Sequence, residues 1–86
     1  DMETVLNSVR KTGRCVVACQ ACRTGSFTAE LAARIQELAF DYLDAPVARI
    51  GSADAVSPQS EVLEKAYLPG VTDLVQAALG VCYAEP

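Results

Sequence analysis

Histidine and tryptophan are absent from these 86 residues, and methionine occurs once. Without histidine the chain lacks the usual near-neutral general base and a preferred neutral metal ligand. Any chemistry carried by this chain alone would fall to Cys, Asp, Glu, Lys or Tyr. Basic charge is also scarce: seven Lys and Arg against eleven Asp and Glu leave a net charge of −4. Arg10, Lys11 and Arg14 form the only basic cluster, so there is no electrostatic footprint for nucleic acid. No apolar run approaches the roughly 18 residues of a bilayer span, and no signal-peptide pattern opens the chain. What is present is apolar. Hydrophobic residues make up 51% and charged ones 21%, a balance that excludes disorder. The expectation is one small soluble domain over residues 1–86, in a size range that buries about 60% of the unfolded surface.

Met2, Val5, Leu6 and Val9 repeat at helical spacing behind Asp1, a suitable N-cap. Arg10 and Lys11 then suit the last turn, and Gly13 suits a left-handed stop. Residues Arg14–Ala18 show neither helical period nor polar alternation, which predicts a strand buried on both faces. Cys19 to Ser26 reads as a loop. The longest predicted helix runs from Phe27 to about Leu43, with Leu31, Ile35, Leu38 and Tyr42 on one stripe and Ser26 or Thr28 as cap. Asp44-Ala45-Pro46 ends it, because the residue before proline disfavours the helical region. Pro46–Ile50 reads as a second strand, and Gly51 to Ser57 as a loop. Ser57 would cap a short helix from Pro58 to Ala66. Pro69-Gly70 breaks the chain again, and Thr72 would cap a last helix through Val75, Ala78 and Leu79. The order is αβαβαα. Two strands make a poor sheet alone, so the expected α/β fold draws on more strands than these.

Cys15, Cys19 and Cys22 show C-x3-C-x2-C spacing, with Cys82 far off. That spacing suggests an iron–sulfur or other metal site. In an extended strand, however, Cys15 and Cys19 lie about 13 Å apart, at roughly 3.3 Å per residue. Neither one metal nor a disulfide bridges that gap. Cys19 and Cys22 also make a C-x-x-C pair, but Arg23 to Ser26 separate them from the helix start that would lower a thiol pKa. Reduced cysteines packed as small hydrophobes are the simpler reading. Asp41, Asp44 and Asp54 suggest a carboxylate group, although exposed acids near a helix end are commonly just solvated. Thr24-Gly25-Ser26 offers free N–H groups to an anion at a helix start, with a sparse glycine pattern and no lysine. Composition and spacing reach no catalytic, cofactor or metal residue.

Several stretches, taken in order, resemble one family. They are Ser8-Val-Arg-Lys-Thr-Gly-Arg14, Arg23-Thr-Gly25 with Phe27, and Ala29-Glu-Leu-Ala-Ala-Arg-Ile-Gln36. Ala39-Phe-Asp-Tyr-Leu-Asp-Ala-Pro46 and Leu63-Glu-Lys-Ala-Tyr-Leu-Pro69 complete the set. Together they resemble the transketolase C-terminal-like domain of the beta subunit of 2-oxo-acid dehydrogenases, in the pyruvate and branched-chain complexes. The chain departs from it at Cys19-Gln20-Ala21-Cys22, where the family often reads His-Glu-Ala-Pro. The resemblance implies an incomplete three-layer α/β/α domain with a small, mostly parallel sheet, corresponding to the C-terminal two thirds of the family domain.

The resemblance also implies a function. Thiamine diphosphate and magnesium are held by other domains of such a dehydrogenase, so this chain would hold no cofactor. Its role would be assembly: packing against the alpha subunit and a second copy, and docking the acyltransferase core component. The residues implied for docking are Leu43, Asp44, Ala45, Pro46 and, near the C-terminal end, Tyr83. An acidic corner suits the basic subunit-binding domain of such acyltransferases. The implied compartment is the bacterial cytoplasm. An alternative is a repurposed stand-alone interaction module from a biosynthetic pathway. A homo-oligomer is expected in either case, because an apolar strand with an unpaired edge invites another chain.

Overall fold

The computed structural model describes residues 1–55 and 59–84. The expected cap Ser57 and helix start Pro58 lie outside the described residues. In chain order the elements are α1 (Met2–Thr12), β1 (Val16–Cys22), α2 (Phe27–Ala39), a 3₁₀ turn (Phe40–Tyr42), β2 (Ala48–Ser52), α3 (Glu61–Tyr67) and α4 (Val71–Val81). The αβαβαα order matches the sequence reading. β1 and β2 pair in parallel, with Val16 beside Ala48, Val17 beside Arg49 and Ala18 beside Ile50. Successive strand side chains point to opposite faces. Val17 faces the core built by Leu6, Val9, Ala32, Ile35 and Ala39 from α1 and α2. Ala18 and Ile50 face the other way, towards Leu74 of α4. The result is three layers, α/β/α, around a two-stranded sheet.

The first helix forms as its caps dictate. The Asp1 carboxylate accepts from the Thr4 N–H at 3.2 Å, and the Gly13 N–H donates to the Val9 carbonyl at 2.7 Å. Gly13 takes φ +73°, the left-handed stop that a residue without Cβ adopts at little cost.

Several element boundaries differ from expectation. β1 starts at Val16 and continues through Cys19–Cys22, the stretch read as a loop. Tertiary bonds hold it there: Arg23 N–H donates to Ser52 O at 3.1 Å, and Ser52 Oγ donates to Gln20 O at 2.5 Å. Ladder register advances from Ala18 to Cys22 while its partner advances only from Ile50 to Ser52, so β1 bulges there. α2 ends at Ala39 rather than near Leu43, and a 3₁₀ turn follows, because the chain must swing to place the Asp44 N–H on the Gly13 carbonyl at 2.8 Å. The turn shifts the helical phase at Tyr42, which leaves the expected buried stripe; Leu38, still within α2, is also about half exposed. β2 begins at Ala48, two residues beyond Pro46, with its N–H on Cys15 O at 3.1 Å. α4 is capped from Gly70, whose N–H donates to the Asp73 carboxylate at 2.8 Å, and not by Thr72.

The bulge leaves Gly51 no room for a side chain. A Cβ there would lie 2.9 Å from Arg23 Cα and 3.1 Å from Ala21 O, both backbone atoms. Gly51→Ala must therefore shift one strand, at about 1–2 kcal/mol. Urea unfolding should show a lower midpoint with an unchanged slope; an unchanged midpoint would mean the bulge relaxes freely.

Candidate docking site

Three segments meet at one end of the sheet: the α1 stop at Gly13-Arg14, the corner Leu43–Pro46, and the end of α4. The Gly13 carbonyl accepts from the Asp44 N–H, which fixes the corner against the stop. Tyr83 then donates its hydroxyl to the Asp44 carbonyl at 3.2 Å. Arg14 lies between them. One guanidinium nitrogen donates to the Val81 carbonyl at 2.8 Å, and another stands 4.0 Å from the Asp44 carboxylate. Its carbon sits 5.9 Å from the centre of the Tyr83 ring, within cation–π range.

Around this corner is a cavity of about 460 Å³, lined by Gln36, Phe40, Asp41, Leu43, Asp44, Ala45, Pro46 and Tyr83. All five residues expected at a docking surface line it. They do not contribute alike. Ala45 is buried and Leu43 packs on the core, while Asp44, Pro46 and Tyr83 are exposed. A second cavity of about 290 Å³ opens on the far side of Ala45-Pro46, towards Ala77 and Val81, and shares Tyr83 with the first. Sequence reasoning missed two participants. Phe40 is 65% exposed on the rim, and Arg14 braces the corner from within. The sequence signals for Arg14 were its place in the basic cluster and at the end of the family-like stretch Ser8–Arg14. The lining offers exposed aromatic rings and two exposed carboxylates, Asp41 and Asp44.

Asp54 is not brought to Asp41 and Asp44. Its carboxylate accepts from the Thr24 N–H at 3.0 Å and from the Thr24 hydroxyl, which hold it below the ordinary carboxylate range. The amide that might have received an external anion at Thr24-Gly25-Ser26 thus receives one of the chain's own. Because the folded form depresses this pKa, the stability it contributes is present above the unfolded pKa and lost as pH falls through the folded one.

The cysteines also go separate ways, and all four are free. Burial pushes the Cys15 thiol up. Cys19 Sγ lies 3.1 Å from the Thr28 hydroxyl, and that hydrogen bond draws its thiol pKa down. Cys22 Sγ instead meets Ala55 O and the Tyr67 hydroxyl, each at 3.5 Å. Among the described residues no three His, Cys, Asp or Glu gather to hold a metal. Nor is any helix among them long and apolar enough to cross a membrane.

The sequence profile described as "Transketolase, C-terminal domain" matches residues 1–74. The chain belongs to the transketolase C-terminal domain family. Among curated relatives, the pyruvate dehydrogenase E1 component subunit beta of Rhizobium meliloti (strain 1021) is 43% identical over 96% of this chain and 18% of its own length. The 2-oxoisovalerate dehydrogenase subunit beta of Pseudomonas aeruginosa is 47% identical over 81% of this chain and 19% of its own. The mitochondrial pyruvate dehydrogenase E1 component subunit beta-1 of Arabidopsis thaliana is 41% identical over 96% and 22%. The chain therefore spans about a fifth of the relatives it matches. It shares the homology of 2-oxo-acid dehydrogenase beta subunits, and its α/β/α layers are those of a transketolase C-terminal fragment.

Proposed function

We propose that this chain is a non-catalytic assembly and docking unit of a thiamine-diphosphate-dependent 2-oxo-acid dehydrogenase beta subunit. The observation that carries the reading is the corner cavity, where an exposed carboxylate, a proline and a tyrosine stand together on a braced backbone. Its docking residues are Asp44, Pro46 and Tyr83, with Leu43 and Ala45 setting the backbone beneath them. The partner is the basic subunit-binding domain of the acyltransferase core component. Asp41 and Asp44 supply charge complementarity, which governs orientation and association rate more than total affinity. On this reading, thiamine diphosphate and magnesium would be held by other domains of the parent enzyme.

The assembly reading extends to the sheet. β1 and β2 have only each other among the described residues, so each strand keeps one open edge. On this reading, residues 1–86 are the C-terminal two thirds of the family domain. Further strands, a second copy and the alpha subunit complete the assembly.

The test is calorimetric titration of the 86-residue chain with the subunit-binding domain of a pyruvate dehydrogenase acyltransferase. Asp44 is exposed, so Asp44→Asn should leave the melting temperature nearly unchanged. It should weaken binding roughly tenfold and flatten the salt dependence. An unaltered affinity would remove Asp44 from the interface. No binding by the natural chain would favour the stand-alone interaction module with a different partner.

A further inference from the structure

The end of α4 holds an unusual residue. Ala84 N–H donates to Leu79 O at 2.9 Å, and Tyr83 N–H donates to Gly80 O at 3.1 Å. This bond pair closes a helix when the residue after its C-cap turns left-handed, a place usually given to glycine. Here Tyr83 takes it, at φ +54°. A side chain in that conformation carries backbone strain, which persists only where the surroundings over-determine it. Burial does not supply the hold, because Tyr83 is 71% exposed. Two polar groups meet its side chain: the Asp44 carbonyl at its hydroxyl and the Arg14 guanidinium over its ring.

Arg14 makes three contacts in three directions. It donates to the Val81 carbonyl, at the end of α4 where helix carbonyls lack internal partners. It faces the Tyr83 ring, and it pairs loosely with the Asp44 carboxylate. Sixty-seven residues separate Arg14 from Val81, so this one side chain ties the front of β1 to the far end of the chain.

We propose that Arg14 is a positioning residue of the docking corner: its guanidinium holds the strained end of α4 so that Tyr83 stands ready beside Asp44. The inference rests on the docking reading for its purpose, but the hold itself is measurable without a partner. A planar fork is required, because lysine carries the charge but cannot bond a carbonyl and stack on a ring together.

Two measurements on the 86-residue chain test it. The first is hydrogen exchange at the Tyr83 and Ala84 amides, the two that close α4. Arg14→Gln should speed both roughly ten- to a hundredfold, the loss expected for one hydrogen bond to a charged group. The Ile35 amide, in the core, should be unchanged. Arg14→Lys should exchange as fast as Arg14→Gln. The second is binding of the acyltransferase subunit-binding domain. Arg14→Gln and Tyr83→Ala should each weaken it, and the double variant no further than the worse single one. Unchanged exchange in Arg14→Gln, or full restoration by Arg14→Lys, overturns the inference whatever becomes of docking. Additive binding losses would make Arg14 a direct contact and overturn its positioning role. If the natural chain binds nothing, the docking reading falls, and exchange alone decides whether Arg14 holds α4.

Discussion

Ile35→Ala should leave the chain largely unfolded in mild denaturant. Ile35 is fully buried, at 0% exposure, and sits in α2 among Leu6, Val9 and Val17 from the neighbouring elements. Removing its outer carbons loses the transfer energy of those atoms and leaves a cavity besides. Isoleucine-to-alanine changes in such sites cost about 2–5 kcal/mol, and the upper part of that range applies here. The flanking core residues on α2 are Ala32 and Ala39, which have nothing to extend into the void. A domain of this size holds about 5 kcal/mol in total, so a loss near 4 removes most of its stability. Ile35→Val, with one methyl fewer, should cost only about 1 kcal/mol. Urea unfolding followed by circular dichroism reads both. A loss below about 1 kcal/mol for the alanine variant would show that α1 can collapse onto the sheet, and the core argument would fail.

Ile35 was also among the most legible residues of the sequence. Its helical stripe with Leu31, the cap at Asp1 and the stop at Gly13 are local signals, and local signals predicted α1 and the body of α2 correctly. The misreadings share a physical cause. Cys19–Cys22 lacks an apolar run, yet it is strand because Ser52 bonds Gln20 and Arg23 across the bulge. The end of α2 is set by Gly13, thirty-one residues before Asp44, through a single backbone bond. No pattern within a short window contains either fact. The candidate site divides in the same way. The corner Leu43–Pro46 and Tyr83 were indicated by resemblance to a family. Arg14 closes one of the family-like stretches, but its place in the corner arises only when the end of α4 arrives beside β1. Tyr42 and Leu38 looked like core residues on the helical stripe, yet both are about half exposed, Tyr42 because it lies in the 3₁₀ turn beyond α2.

Gly13→Val should damage stability and docking together, because Gly13 is where the two are joined. Its φ of +73° already disfavours any side chain, and a left-handed conformation costs an ordinary residue about 1–2 kcal/mol. Space is short as well. A Cβ there would lie 2.5 Å from the Asp44 carboxylate and 3.1 Å from the Tyr42 carbonyl. The carboxylate can swing aside, but the Tyr42 carbonyl belongs to the backbone, so the corner itself must move. Overpacking of that kind adds about 1–3 kcal/mol, for a total near 3. The displaced corner carries Asp44, whose N–H bonds Gly13 O and whose carbonyl receives the Tyr83 hydroxyl. Binding of the acyltransferase subunit-binding domain should therefore weaken more than tenfold, even at temperatures where the variant remains folded. Gly13→Ala, with less bulk but the same backbone conflict, should lie between the two proteins in both measurements. Melting curves and calorimetric titration on all three chains give the comparison. A Gly13→Val chain that melts several degrees lower but binds at full affinity would separate the α1 stop from the docking corner, and that result would contradict the geometry that joins them.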